Sequence, residues 1–267
     1  MRTNEPPATR LRPPRFGKTL QRSIRETWNH LGTVMVVNCA VFIAITVTPS
    51  AADFLIAHTG IAGWFFLVGV EMALAAFCFG LLASFARKLL AREEITLASL
   101  WLDGRRLFWL SLRVALLDAI IIGILIANTI FYFTRFTLIG SALAFFIFDM
   151  LIFAFALGYL QPAVLADADS EQAKGATSEK IGPVAILRRS GLIFLLESKF
   201  VFASYVLTAL MGVILLVSII GLPIIGFGFA AIYITCVHQE IMACYGLAPE
   251  PFDPSKPVED DWKGIAG

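Results

Sequence analysis

The sequence predicts an all-α fold: a polytopic transmembrane helical bundle of about six spans, with interfacial amphipathic helices preceding spans 1, 3 and 5. Three observations predict it. Of the 267 residues, 58% are hydrophobic and 15% charged, against ~45–50% and ~25% in a soluble domain. That missing polarity means that lipid, rather than water, covers much of the exterior. The apolar residues gather in runs of about 20, the length that crosses ~30 Å of hydrocarbon as a helix. Finally, Lys and Arg crowd into every second connection, as they do in chains threaded back and forth through a bilayer.

The chain divides into a basic arm with an interfacial helix (1–30), a transmembrane domain (31–248) and a Pro-rich tail (249–267). The arm stays polar, with no apolar run before a small-residue cleavage site, so insertion is expected to begin at the first internal span. Within it Phe16, Leu20, Ile24, Trp28 and Leu31 recur every three to four residues while Lys18, Arg22 and Arg25 face elsewhere. That spacing is the signature of a helix lying in the interface.

Span 1 is expected over Leu31 to Pro49 and span 2 over Ile61 to Ala86. A second amphipathic stretch, with Leu97, Leu100, Trp101 and Phe108 beside Arg105 and Arg106, leads to span 3 over Leu107 to Phe133. Span 4 runs from Leu138 to Leu165 and is followed by a solvated loop from Asp167 to Lys180. A third amphipathic stretch opens after Gly182-Pro183, with Val184, Leu187 and Phe194 beside Arg188 and Arg189. Spans 5 and 6, Phe200 to Ile220 and Leu222 to Tyr245, are divided by Gly221-Leu222-Pro223, since Gly followed by Pro marks a turn. The amphipathic starts repeat about 80 residues apart, which reads either as internal duplication or as convergence on one interfacial composition.

Basic residues fill the arm, the 87–106 connection, the 174–199 connection and the tail, whereas the other three connections hold Arg135 alone. Both termini are therefore expected in the cytoplasm, with the protein in the cell membrane. A net charge of +1 gives no field for nucleic acid. Cys39, Cys78, Cys236 and Cys244 lie in apolar stretches without C-x-x-C pairing and read as small hydrophobes. Neither a metal nor any other cofactor is expected, and no nucleotide-binding or hydrolase motif occurs.

Ionisable groups inside a span cost roughly 2.5 kcal/mol or more at its centre, so each is a functional candidate. They are Glu71, Asp118, Asp149, His238 and Glu240. If Asp118 and Asp149 face one another on neighbouring antiparallel spans, one proton would be shared and cation handling would follow. Alternatively each carboxyl is neutral and bonded to Asn38, Asn128, Thr46 or a backbone carbonyl, holding helices together. Glu71, beside Gly69, Ala73, Ala75 and Ala76, is expected at a packed helix interface.

Several segments carry a resemblance: Thr46-Val47-Thr48-Pro49-Ser50-Ala51-Ala52 at the exit of span 1, Trp101-Leu102-Asp103-Gly104-Arg105-Arg106-Leu107-Phe108-Trp109 before span 3, and Asn128-Thr129-Ile130-Phe131-Tyr132 at its end. Together they resemble the YesL-like family of bacterial membrane proteins, over roughly Leu31 to Leu165. The resemblance implies a compact polytopic protein associated with carbohydrate-uptake transporters, and it assigns no catalytic residue. The long basic arm and the sixth span depart from the family pattern. The function expected is a non-enzymatic accessory or regulatory partner of a membrane transporter complex. The alternative is a small transporter or channel that uses the intramembrane carboxylates and a Gly-rich span 6 (Gly221, Gly226, Gly228).

Overall fold

A computed structural model describes residues 10–59, 61–134, 138–173, 181–218 and 221–248, and every regular element among them is helical. The elements are α1 (Phe16–Asn29), α2 (Leu31–Thr59), α3 (Ile61–Leu90), α4 (Leu97–Phe133), α5 (Leu138–Gly158), α6 (Gln161–Ala173), α7 (Pro183–Leu196), α8 (Ser198–Val217), a π-helical turn (Leu222–Gly226) and α9 (Phe227–Cys244). Among the described residues five stretches are long and apolar enough to cross a membrane: Ala62–Leu90, Leu97–Phe133, Ile139–Glu171, Ser198–Leu215 and Ile224–Cys244. A sixth is reached when α1 and the first part of α2 count together. The protein is a multi-pass membrane protein of helical-bundle class, and lipid contacts its apolar helices.

The two ends of the chain start differently from its middle. α1 is amphipathic and meets α2 at 88°, the corner expected of an interfacial helix turning into a span. α7 is likewise separate, opened by Pro183 in its first turn and closed at Glu197 before α8 begins. The second amphipathic stretch is not separate. It runs without a break into its span as the 37-residue α4, set off by a capping box in which Thr96 and Ser99 bond each other's backbone. At ~1.5 Å per residue α4 is about 55 Å long, so it projects well beyond the ~30 Å hydrocarbon layer.

Three expected boundaries move. Span 1 does not stop at Pro49, because α2 continues to Thr59; proline is tolerated inside membrane helices where neighbouring groups take up the freed carbonyl. Span 4 is broken at Tyr159 and Leu160, and the expected loop from Asp167 is helical as far as Ala173. Residues 174–180 and the Pro-rich tail lie outside the described residues. Two span-length helices do follow one another there, Ser198–Leu215 and Ile224–Cys244, but Gly221-Leu222-Pro223 is not the turn between them: α8 ends at Val217, Gly221 has α-helical dihedrals, and Leu222 and Pro223 open the π-helical turn that runs into α9. α8 packs against both that turn and α9.

α9 forms the centre. It packs against α1, α2, α3, α6 and α8, and Ile232, Tyr233, Val237 and Ile241 are buried along it. Close approach at α9 rests on glycine: a Cβ on Gly228 would come within 2.8 Å of the Val34 side chain. α3 and α4 meet over Gly80 and Gly104, whose added Cβ atoms would lie 3.1 Å from Leu107 Cβ and the Phe77 ring respectively.

Candidate functional site at the basic end of the bundle

Most of the polar side chains buried in the bundle gather at the end where the arm, α1, α6, α7 and the start of α4 meet the last turns of α9. Glu240 is buried there. Arg12 grips its carboxylate with both terminal nitrogens, Nη2 at 3.2 Å. The backbone N–H of Arg15 donates to it at 3.0 Å, and Arg15 Nε lies at 3.6 Å. Arg22 donates to Gln239 at 3.0 Å, and Leu11 N–H to the carbonyl of Cys244 at 2.8 Å. Arg10 pairs with buried Glu197, which also accepts from the Tyr245 hydroxyl, both at 3.1 Å. The basic arm is therefore a strap fastened across the end of α9.

His238, also buried, places Nδ1 3.2 Å from an Asp167 carboxylate oxygen on α6. Around this centre runs a second ring of ion pairs. Asp103 on α4 receives Lys88 at 2.6 Å and the Ser84 hydroxyl at 2.7 Å, while Arg106 pairs with Asp169 on α6. Arg189 reaches Glu171 at 3.1 Å. Arg92 reaches Glu26 at 2.9 Å from a left-handed backbone conformation, with φ at +59°, at the end of α3. Glu240 and His238 were legible as polar positions in a span; Arg12, Asp103, Asp167 and Gln161 were missed, because the partners lie far apart in the chain.

The remaining candidates do not converge. Asp118 accepts from Gln161 Nε2 at 3.1 Å. Both line a cavity of about 130 Å³ together with the buried Ser111, whose hydroxyl has no hydrogen-bond partner among the described residues. Asp149 is exposed on α5, so it does not share a site with Asp118. Glu71 is exposed on α3, contrary to the packed interface expected of it; Gly69 and Ala75 are exposed as well, and of the small residues around it only Ala76 is buried. Among the described residues neither Glu71 nor Asp149 has a polar partner.

The amides are spent on backbone. Buried Asn38 accepts the N–H of Gly228 at 2.9 Å, just past the π-helical turn, where a wider helical ring leaves donors without their usual carbonyl. Asn128 donates to Ile124 O at 2.7 Å, one turn back in its own helix, as the Thr46 hydroxyl does to Phe42 O at 2.8 Å. Neither of these two bonds goes to a carboxylate.

No three of His, Cys, Asp and Glu gather to hold a metal ion among the described residues. Chemically the basic end is a network of paired charges in which Arg22 Nη1 and Glu26 Oε2 have no hydrogen bond among the described residues, whereas the Asp118 cavity keeps unspent oxygen acceptors. Compared with known proteins, the chain matches no family model, no curated protein and no solved structure.

Proposed function

We propose that this protein is a non-enzymatic accessory or regulatory component that binds laterally to a membrane transport system, with both termini on the cytoplasmic side of the cell membrane. The observation that carries the reading is the outward position of Glu71 and Asp149. Ionisable groups at membrane depth face a bundle interior or a cavity almost without exception. Two carboxyls exposed on the apolar flanks of α3 and α5 point to a neighbour whose polar groups complete them. The clustering of Lys and Arg at one end supports the orientation. The YesL-like likeness of the 31–165 segment belongs to the same proposal and supplies carbohydrate uptake as the transport process.

Mild-detergent extraction followed by quantitative identification of co-purifying membrane components tests it. Wild type is expected to retain a transporter component that Glu71→Gln with Asp149→Asn loses. Recovery of no membrane component above background from wild type removes the reading.

A second reading rests on the Asp118 cavity. Its volume holds several waters, and carboxylate, carboxamide and hydroxyl groups line it, which suits a proton or a monovalent cation. Proteoliposome flux for wild type and Asp118→Asn separates the two: flux abolished by the substitution makes the protein a transporter in its own right.

A further inference from the structure

α2 and α4 both pack against α3, and an apolar groove of about 600 Å³ opens between them. Small side chains make the space, Ala40 and Ala44 on α2 and Ala73 on α3, while Phe77 and Trp101 form a wall with ring centroids 5.0 Å apart. Its volume lies within the ~300–1,000 Å³ of ordinary ligand sites. A smaller extension of about 230 Å³ shares Val37 with the groove and leads past Thr33 and Ile95 toward the corner between α1 and α2.

Depth and charge select the occupant. On α3 the lining runs from Leu81 at the basic end to Val70. Eleven rises of ~1.5 Å from Val70 to Leu81 make roughly 16 Å, about half of a ~30 Å hydrocarbon core. The groove therefore has the depth of one leaflet, where a partner's transmembrane helix would cross two. Cations flank its mouth: Arg105 is exposed one turn along α4 from Trp101, and Arg92 stands three residues before Ile95 with its side chain 57% exposed. Trp101 itself is an interfacial residue by type, with an apolar ring and one polar N–H.

We infer that this groove is a binding site for one acyl chain of a phospholipid drawn from the leaflet at the basic end, with its phosphate beside Arg105. The chain threads between Ala40, Ala44 and Ala73, and Trp101 covers it near the headgroup. Neither Glu71 nor Asp149 lines the groove, so the inference does not rest on the protein partner proposed above.

The full-length protein carrying a single tryptophan tests it. With Trp28, Trp64, Trp109 and Trp262 changed to Phe, Trp101 reports from the groove wall; a second version keeps Trp109, which does not line the groove, in place of Trp101. Each is equilibrated with phosphatidylglycerol or phosphatidylcholine brominated on the acyl chains, then exchanged into lipid-free micelles. Retained lipid is expected to quench Trp101 and leave Trp109 bright with both headgroups, since the phosphate is common to them. Native mass spectrometry is expected to find one phospholipid on wild type and its loss from Ala40→Phe with Ala73→Phe, helix content being unchanged by circular dichroism. Equal quenching of both tryptophans, no retained lipid on wild type, or a polypeptide held in its place each overturn the inference. The quenching comparison does not depend on the filled variant folding.

Discussion

α9 and α4 are both long apolar helices, and the bundle treats them oppositely. In the most apolar 18-residue stretch of α9, 67% of residues are buried, against 6% in that of α4. Yet that stretch of α9 is the less apolar of the two, with Thr235, His238, Gln239 and Glu240 in the second half of the helix. In lipid this is the expected order. A helix that faces acyl chains must be apolar all round, whereas one wrapped by protein can carry polar groups, provided each meets a partner. The basic strap, Asp167 and Arg22 supply those partners. α4 carries its charges toward one end, Asp103, Arg105, Arg106, Arg113 and Asp118, and none from Ala119 to Phe133.

The comparison breaks most visibly at the strap. Glu240→Ala leaves Arg12 without its buried partner, and Arg12→Ala leaves the carboxylate with Arg15 alone; each is expected to lower unfolding stability in detergent by about 3–5 kcal/mol. Next in size is core truncation. Ile232→Ala, at a fully buried position of α9, is expected to cost about 3 kcal/mol. Ile124→Ala on α4, 57% exposed, should stay within about 0.5 kcal/mol, because lipid replaces the lost contact. Thermal unfolding of the two variants side by side checks the contrast.

Glycines give a finer test. Gly228→Ala pushes a methyl into Val34 and is expected to destabilise by ~1–3 kcal/mol. Gly123→Ala meets nothing within 4 Å on α4 and is expected to stabilise by ~0.5–1 kcal/mol through helix propensity. Smallest is the amide pair. Asn38→Ala orphans the Gly228 N–H and should cost about 1 kcal/mol, while Asn128→Ala, which loses only a bond within its own helix, should be near neutral in the same assay.

Helix class and the presence of five or six long apolar helices were legible because hydrocarbon thickness imposes a length on a spanning helix. What stayed hidden were properties of distant pairs. Nothing local says that the Glu240 carboxylate closes on Arg12, 228 residues away, or that Asp118 is satisfied by Gln161 rather than by Asp149. The 97–108 stretch reads as amphipathic whether it lies flat or runs straight into its span, and continuity was decided by its packing on α3 over Gly80 and Gly104. The polar run Asp167 to Ala173 read as a loop by composition. It is helical where Asp169 and Glu171 meet Arg106 and Arg189, so tertiary charge pairing overrides weak local propensity.

The most direct test of the account is a double-mutant cycle on Arg12→Ala and Glu240→Ala, read by reversible unfolding in detergent. If the strap holds α9 through this pair, the double variant is expected to be no less stable than the worse single variant, with a coupling of about 2 kcal/mol or more. Additive losses, with no coupling, would contradict the claim that the basic arm is fastened to the buried helix at Glu240.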